Sequence, residues 1–178
     1  MDSIKSKILG ILTPLQSPGW WKSDSVRIPM FGETKLPIYL IRPRLEGDHL
    51  FGDVDALIQE FLDLTIEHRN TLSTEVYRHC QQFFEITGFD EEVIEMFRQV
   101  SNPEKWHRDT IRLGELLRLS DVNAIWKYAS IRDIYIENDD DEGVFKIAAH
   151  LHCDWEEEHG LDIIFKSGWN TPSIDIGG

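Results

Sequence analysis

The chain has 178 residues, 41% of them hydrophobic and 28% charged, with 32 acids against 18 lysines and arginines for a net charge of −14 at neutral pH. That length suits one domain whose core needs no disulfide or metal support, and the composition excludes global disorder. The acidity disfavours nucleic acid and anionic membrane surfaces, because its field repels phosphate.

In chain order, Ile4, Ile8, Leu9, Ile11 and Leu12 are spaced for a short helix ending before Pro14, within an N-terminal arm over residues 1–23. This stretch holds no apolar run of signal-peptide length, and no later run could span a bilayer, so a cytoplasmic protein is expected. Val26–Phe31 and Lys35–Ile41 read as a hairpin over 26–41, and Pro29 and Pro37 place it near a sheet edge.

Residues 53–129 read as mainly helical. Asp53 is the expected N-cap of a helix that runs through about Arg69, with Leu57, Ile58, Phe61 and Leu62 as its apolar stripe. A second helix starts at Ser73 or Thr74 and buries Val76, Tyr77, Cys80, Phe83 and Phe84. A third, Asp90–Val100, is acidic at its start, as the helix dipole prefers, and turns Val93, Ile94 and Phe97 inward. The type of Trp106–Leu119 stays open. Ser120–Ala129 has helical spacing at Val122, Ile125, Trp126 and Ala129.

The pattern then changes period. Ile131–Glu137, Val144–Trp155, Leu161–Ser167 and Ser173–Ile176 read as antiparallel strands over 131–177. In the second of these, Leu151, Cys153 and Trp155 share the inward parity and His150, His152 and Asp154 the outward one. The expected fold is α+β in a single domain, 1–178: central antiparallel helices packed on one face of a largely antiparallel sheet built from N-terminal and C-terminal strands. Cys80 and Cys153 fall on buried positions and read as reduced thiols.

Charge is distributed unevenly. Residues 133–162 hold eleven acids and one base, whereas the rest of the chain holds twenty-one acids and seventeen bases. Such a block favours a cationic protein partner. The acidic turn Glu137–Gly143 lacks the ligand spacing of an EF-hand loop. His150, His152 and Asp154 share a face with His159 just beyond, but i and i+2 side chains on a strand lie roughly 6.5 Å apart and no second ligand cluster converges on them, so no metal and no cofactor are expected. Nucleophile-elbow, phosphate-loop, dinucleotide and zincin motifs are absent from the sequence. The paired carboxylates Glu157 with Glu158 and Asp154 with Glu156 leave one catalytic alternative, a metal-dependent or acid/base hydrolase using His150, His152, Asp154 and Glu158. Trp106, Trp126 and Trp155 fall on core patterns. Trp20, Trp21 and Trp169 sit in loop-like settings, where an aromatic beside acids is a hot-spot composition, although packing into the hairpin base accounts for at least two of them.

The block Cys153–Leu161, reading C-D-W-E-E-E-H-G-L, with Phe165–Gly168, a closing Ile176–Gly177 and an upstream Phe31–Gly32, resembles a bacterial family of unassigned function that ends in a C-x-W-[DE]-x-E-H-G-L hairpin. The resemblance covers residues 26–178 and implies no catalytic residue. In that hairpin Trp155 packs inward and His159–Gly160 is expected to make the turn. By size and acidity, not by motif, the chain is also similar to immunity proteins of contact-dependent growth inhibition and polymorphic toxin systems. That likeness implies a non-enzymatic inhibitor of a cognate basic toxin domain, a nuclease. Asp139, Asp140, Asp141, Glu142, Asp154, Glu156, Glu157 and Glu158 would then steer the partner, with His150, His152 and Trp169 in closer contact. Neither nucleic acid, membrane nor small molecule is the expected ligand; a structural or regulatory adaptor is the remaining alternative.

Overall fold

A computed structural model describes residues 2–99, 112–139, 144–166 and 173–175, leaving out the side chains of 97, 98, 139, 157 and 173–175. It is an α+β protein whose contacts divide into two compact units. The first comprises Met1–Leu72, Ile131–Leu151 and Leu161–Gly178, and the second Ser73–Ser130 with His152–Gly160.

The N-terminal residues are strands, not the expected helix. β1 (Ile4–Ser6) pairs antiparallel with β2 (Gly10–Pro14), placing Ile4 opposite Leu12. Gly10 supplies the positive φ of 78° at the end of the turn. A helix would have grouped Ile4, Ile8 and Ile11 on one face; the hairpin instead buries Ile4, Leu9 and Leu12 and leaves Ile11 62% exposed. β3 (Trp20–Lys22) follows and pairs with β2, so the arm is part of the sheet.

The expected 26–41 hairpin is shorter and divided. β4 (Val26–Arg27) pairs antiparallel with β5 (Lys35–Leu36), but Pro29–Phe31 form a 3-10 turn, since Pro29 has a φ suited to a first helical position and no N–H for a ladder. β6 (Ile38–Ile41) leaves that hairpin and pairs with β3. After β7 (Leu45–Glu46) and β8 (His49–Leu50) comes α1 (Gly52–Leu62), capped by Phe51 with Asp53 inside the first turn, so Asp53 is not the N-cap. The stripe predicted to reach Arg69 breaks in two. Thr65 opens α2 (Ile66–Thr71) with a capping box in which its N–H donates to His68 Nδ1 at 3.1 Å.

Among the described residues the main sheet has ten strands. The C-terminal ones are β9 (Ala129–Asp139), β10 (Val144–Cys153), β11 (Glu156–Lys166) and β12 (Ser173–Asp175), and the order across the sheet is β12-β11-β10-β9-β6-β3-β2-β1-β8-β7. It is mixed where a largely antiparallel sheet was expected: β6 with β9 and β1 with β8 run parallel. Tyr39 lies opposite Tyr135 in the β6–β9 register. The apolar parity holds: Ile134, Ile136, Ile147, Ala149, Leu151 and Ile163 are all buried, and Phe61 of α1 meets Phe165 at 6.2 Å between ring centroids.

The second unit carries α3 (Ser73–Thr87) and α4 (Glu91–Arg98). α3 buries Val76, His79, Cys80 and Phe84. It ends at Gly88, whose φ is 68°, while the Phe89 N–H donates to the Phe84 carbonyl at 2.9 Å and the two rings pack 4.7 Å apart. This is the Schellman ending with its apolar contact. Asp90 then caps α4, accepting N–H bonds from Glu92 and Val93. Gly88→Ala should lower stability by about 1 kcal/mol, because a Cβ is strained at that φ even though nothing crowds it. A denaturant midpoint unchanged by the substitution would contradict this.

Of the open segment, 106–111 lie outside the described residues and Leu116–Arg118 make a 3-10 turn with Leu116 buried. The helix expected over 120–129 is a 3-10 turn, Val122–Lys127, with Asp121 accepting from the Asn123 N–H. Ala129 already belongs to β9. Ser73 ties this turn to α3, donating to Asn123 Oδ1 and accepting from Trp126 Nε1–H. Trp126 is half-buried, not in the core as its spacing predicted, while Trp155 is only 3% exposed. Trp106 and Trp169 lie outside the described residues. Cys80 and Cys153 are free and buried, and burial pushes the Cys80 thiol up to about 12 and the Cys153 thiol further in the same direction.

Candidate functional site

β10 carries the outward parity that the sequence assigned. His150, His152 and Asp154 are half-buried, and Leu151, Cys153 and Trp155 are buried. These polar residues have separate partners.

In the first unit, His150 Nδ1 lies 2.5 Å from Asp162 Oδ1, and its ring meets Tyr135 in a T-shaped pair with centroids 5.0 Å apart. Tyr135 stacks on Tyr39 at 5.3 Å and receives the edge of Trp20 at 5.8 Å. Lys22 sits over the Tyr39 ring. A half-buried strip therefore crosses four adjacent strands, β3, β6, β9 and β10, with the histidine held by a carboxylate at one end. Trp20 and Trp21 lie half-buried in β3, and Trp21 Nε1–H donates to the Asp2 carbonyl at 3.3 Å. Neighbouring acids in the sheet are engaged: Asp133 with Arg132 at 2.9 Å and Glu137 with Lys146 at 3.4 Å.

In the second unit, Asp154 forms an ion pair with Arg112 at 2.5 Å, and its N–H donates to the Tyr128 carbonyl. Arg112 also lies over the Tyr128 ring. The Tyr128 hydroxyl donates to Glu115; burial, then that carboxylate, pushes its pKa up to about 12.

Glu156 departs most from the sequence reading. The turn of the hairpin is Asp154–Trp155, and His159–Gly160 lie within β11. A connection of two residues joins antiparallel strands. Glu156 is only 8% exposed and is not a solvated acid. Its carboxylate accepts the N–H groups of Glu158 at 3.2 Å, His159 at 3.0 Å and Gly160 at 2.7 Å, with His159 Nδ1 at 3.3 Å. Gly160 has φ 75°, which bends the strand so that these donors converge, as in a backbone nest. Burial, the largest influence, pushes the Glu156 pKa up, but the His159 and Gly160 donors and the His159 ring together outweigh it, leaving a net shift below 4.5. Nearby, Trp155 Nε1–H donates to His79 Nδ1 at 3.2 Å, and burial holds the His79 pKa below its ordinary value against the opposing Glu156 charge.

Glu158 is exposed. Asp139 ends β9 and Glu157 lies in β11, with side chains outside the described set; Asp140, Asp141, Glu142 and Trp169 lie outside the described residues altogether. Among the described residues no three His, Cys, Asp or Glu side chains converge to hold a metal ion. Nor is any described helix long and apolar enough to cross a membrane.

Sequence reasoning missed Asp162, Arg112, Tyr39 and Tyr135 as partners of the outward face. For Tyr135 and Asp162 the signal was parity: they alternate with buried Ile134, Ile136, Leu161 and Ile163.

A family model described as a domain of unknown function, DUF6985, matches residues 11–174. The chain belongs to that family. This accords with the expected domain family of unassigned function, though the DUF6985 match begins earlier, in β2, and ends in β12. No curated protein and no solved structure matches the chain.

Proposed function

We propose that this DUF6985 domain is a non-enzymatic immunity protein, a cytoplasmic inhibitor that binds a cognate basic toxin domain through its acidic C-terminal strands and turns. The carrying observation is the concentration of eleven acids and one base in residues 133–162. A surface of that sign accelerates encounter with a cationic protein, while affinity rests on a few desolvated anchors. Asp133, Glu137, Asp154 and Asp162 each have a basic partner and Glu156 is buried, which directs the steering role to Glu158 and to the run Asp139–Asp140–Asp141–Glu142. Two free buried cysteines suit a reducing compartment.

The test needs a candidate basic toxin domain, to be sought in the neighbouring gene. Changing Asp139, Asp140 and Asp141 together to lysine should slow association at least about tenfold at low salt and flatten its salt dependence, since attraction is screened over about 10 Å at 0.1 M. Equal rates and slopes for the two proteins would remove the steering role.

A hydrolase reading draws on one feature, the His150–Asp162 pair, which orients an imidazole as acid/base sites require. Its carboxylate is Asp162, where the sequence had suggested Asp154. Hydrolysis of a generic ester or phosphoester that disappears in His150→Gln would replace the inhibitor reading.

A further inference from the structure

Away from the acidic strands, α3 and α4 present two stripes of helical spacing that meet at Glu91. Gln81, Phe84, Glu85 and Gly88 stand at i, i+3, i+4 and i+7 on α3, and Glu92, Glu95, Met96 and Gln99 repeat the interval along and just beyond α4. The first stripe lines an open cavity of about 440 Å³ together with Phe89, Asp90 and Leu117; the second lines one of about 430 Å³. Glu91 belongs to both linings, so the two cavities adjoin at that residue. The first has an apolar floor, with Phe84 and Phe89 locked together by the helix ending at Gly88 and with Leu117 beside them. Met96, 58% exposed, gives the second an apolar side chain on α4. Acids border both. Arg118 pairs with Glu91, while Glu85, Asp90, Glu92 and Glu95 are exposed along the same line.

We infer that this face of α3 and α4, with its two adjoining cavities, is a docking site for an amphipathic helix carrying lysine or arginine around an apolar stripe, supplied by a protein partner. Charge complementarity selects the occupant: Phe89, Leu117 and Met96 accept the apolar anchors of a helix, and the exposed carboxylates beside them meet flanking cations and repel an acidic helix or an anionic membrane. The site goes beyond the toxin reading and does not depend on it, because it lies on different elements and asks only for this chemistry.

The probe is a synthetic leucine/lysine peptide with leucines at helical spacing. Two controls accompany it: a scramble of identical charge without the spacing, and a leucine/glutamate helix. Fluorescence anisotropy should show binding of the leucine/lysine helix alone, weakened at least about tenfold by Glu85→Lys with Glu92→Lys and weakened similarly by Met96→Ser. Amide shifts on binding should map to α3, α4 and Leu117. Equal binding of the scramble or of the acidic helix, indifference to these substitutions, or loss on changing Asp139, Asp140 and Asp141 instead would each overturn the proposal. Circular dichroism of the variants, whose altered side chains are exposed, separates lost binding from lost folding.

Discussion

Asp55→Ala is expected to destabilise the protein by about 3 kcal/mol and to release its N-terminal hairpin, because it orphans buried donors. Asp55 lies in the first turn of α1, only 6% exposed, where a carboxylate also complements the helix dipole. It accepts the Ser6 hydroxyl at 2.5 Å and the Lys7 N–H at 3.0 Å. Ser6 Oγ in turn accepts the N–H groups of Ile8 at 3.0 Å and Leu9 at 2.9 Å. Asp55 and Ser6 therefore divide the four bonds of the β1–β2 turn between them, and Asp55 holds Ser6 from 49 positions away. Ser6→Ala should cost a comparable amount, since it leaves the Ile8 and Leu9 N–H groups without their acceptor while Asp55 keeps only Lys7. Chemical denaturation would measure the loss, and hydrogen exchange at Ile8 and Leu9 would locate it. A cost under about 1 kcal/mol with those amides still protected would show that the strand ladder holds the hairpin unaided.

Glu156→Ala should cost a similar amount, about 3 kcal/mol at neutral pH, for an analogous reason: three backbone N–H groups lose their acceptor, and that of Gly160 is buried. The pH dependence separates its charge from its shape. The folded Glu156 pKa lies below 4.5, so its contribution is fully present above the unfolded value and is lost as pH falls through the folded one. His79 is also depressed, from 6.5, by burial, so its contribution too is present above the unfolded value and disappears as pH drops through the folded one. Acid therefore weakens this unit through both groups, and protonating His79 removes the acceptor that holds the Trp155 indole. Glu156→Gln should keep part of the neutral-pH stability and flatten the step below about 4.5, while the His79 step persists. Denaturant midpoints from pH 7 to 3, followed by tryptophan fluorescence, give the comparison. A variant whose stability falls as steeply as the parent's below 4.5 would show that Glu156 is not the titrating group.

Where neighbouring residues carried the whole signal, the sequence was sufficient. Glycine at 88 followed by Phe89 and Asp90 ends α3 and caps α4 through bonds spanning five residues or fewer. Alternation over 145–153, broken by the buried Ala148, set the two parities of β10, because side chains on a strand change face at every step. The clustering of acids in 133–162 is likewise a property of the chain alone. Tertiary structure decided the rest. Residues 4–12 have apolar spacing that a helix would satisfy, and they are strands because Asp55 gathers their turn and Gly10 permits it. The parallel pairing of β6 with β9 joins residues nearly a hundred positions apart, a choice of partner that no local pattern encodes. In the same way Glu156 read as one of three surface acids, and only the bend at Gly160, which turns successive N–H groups onto one carboxylate, made it a buried structural ion.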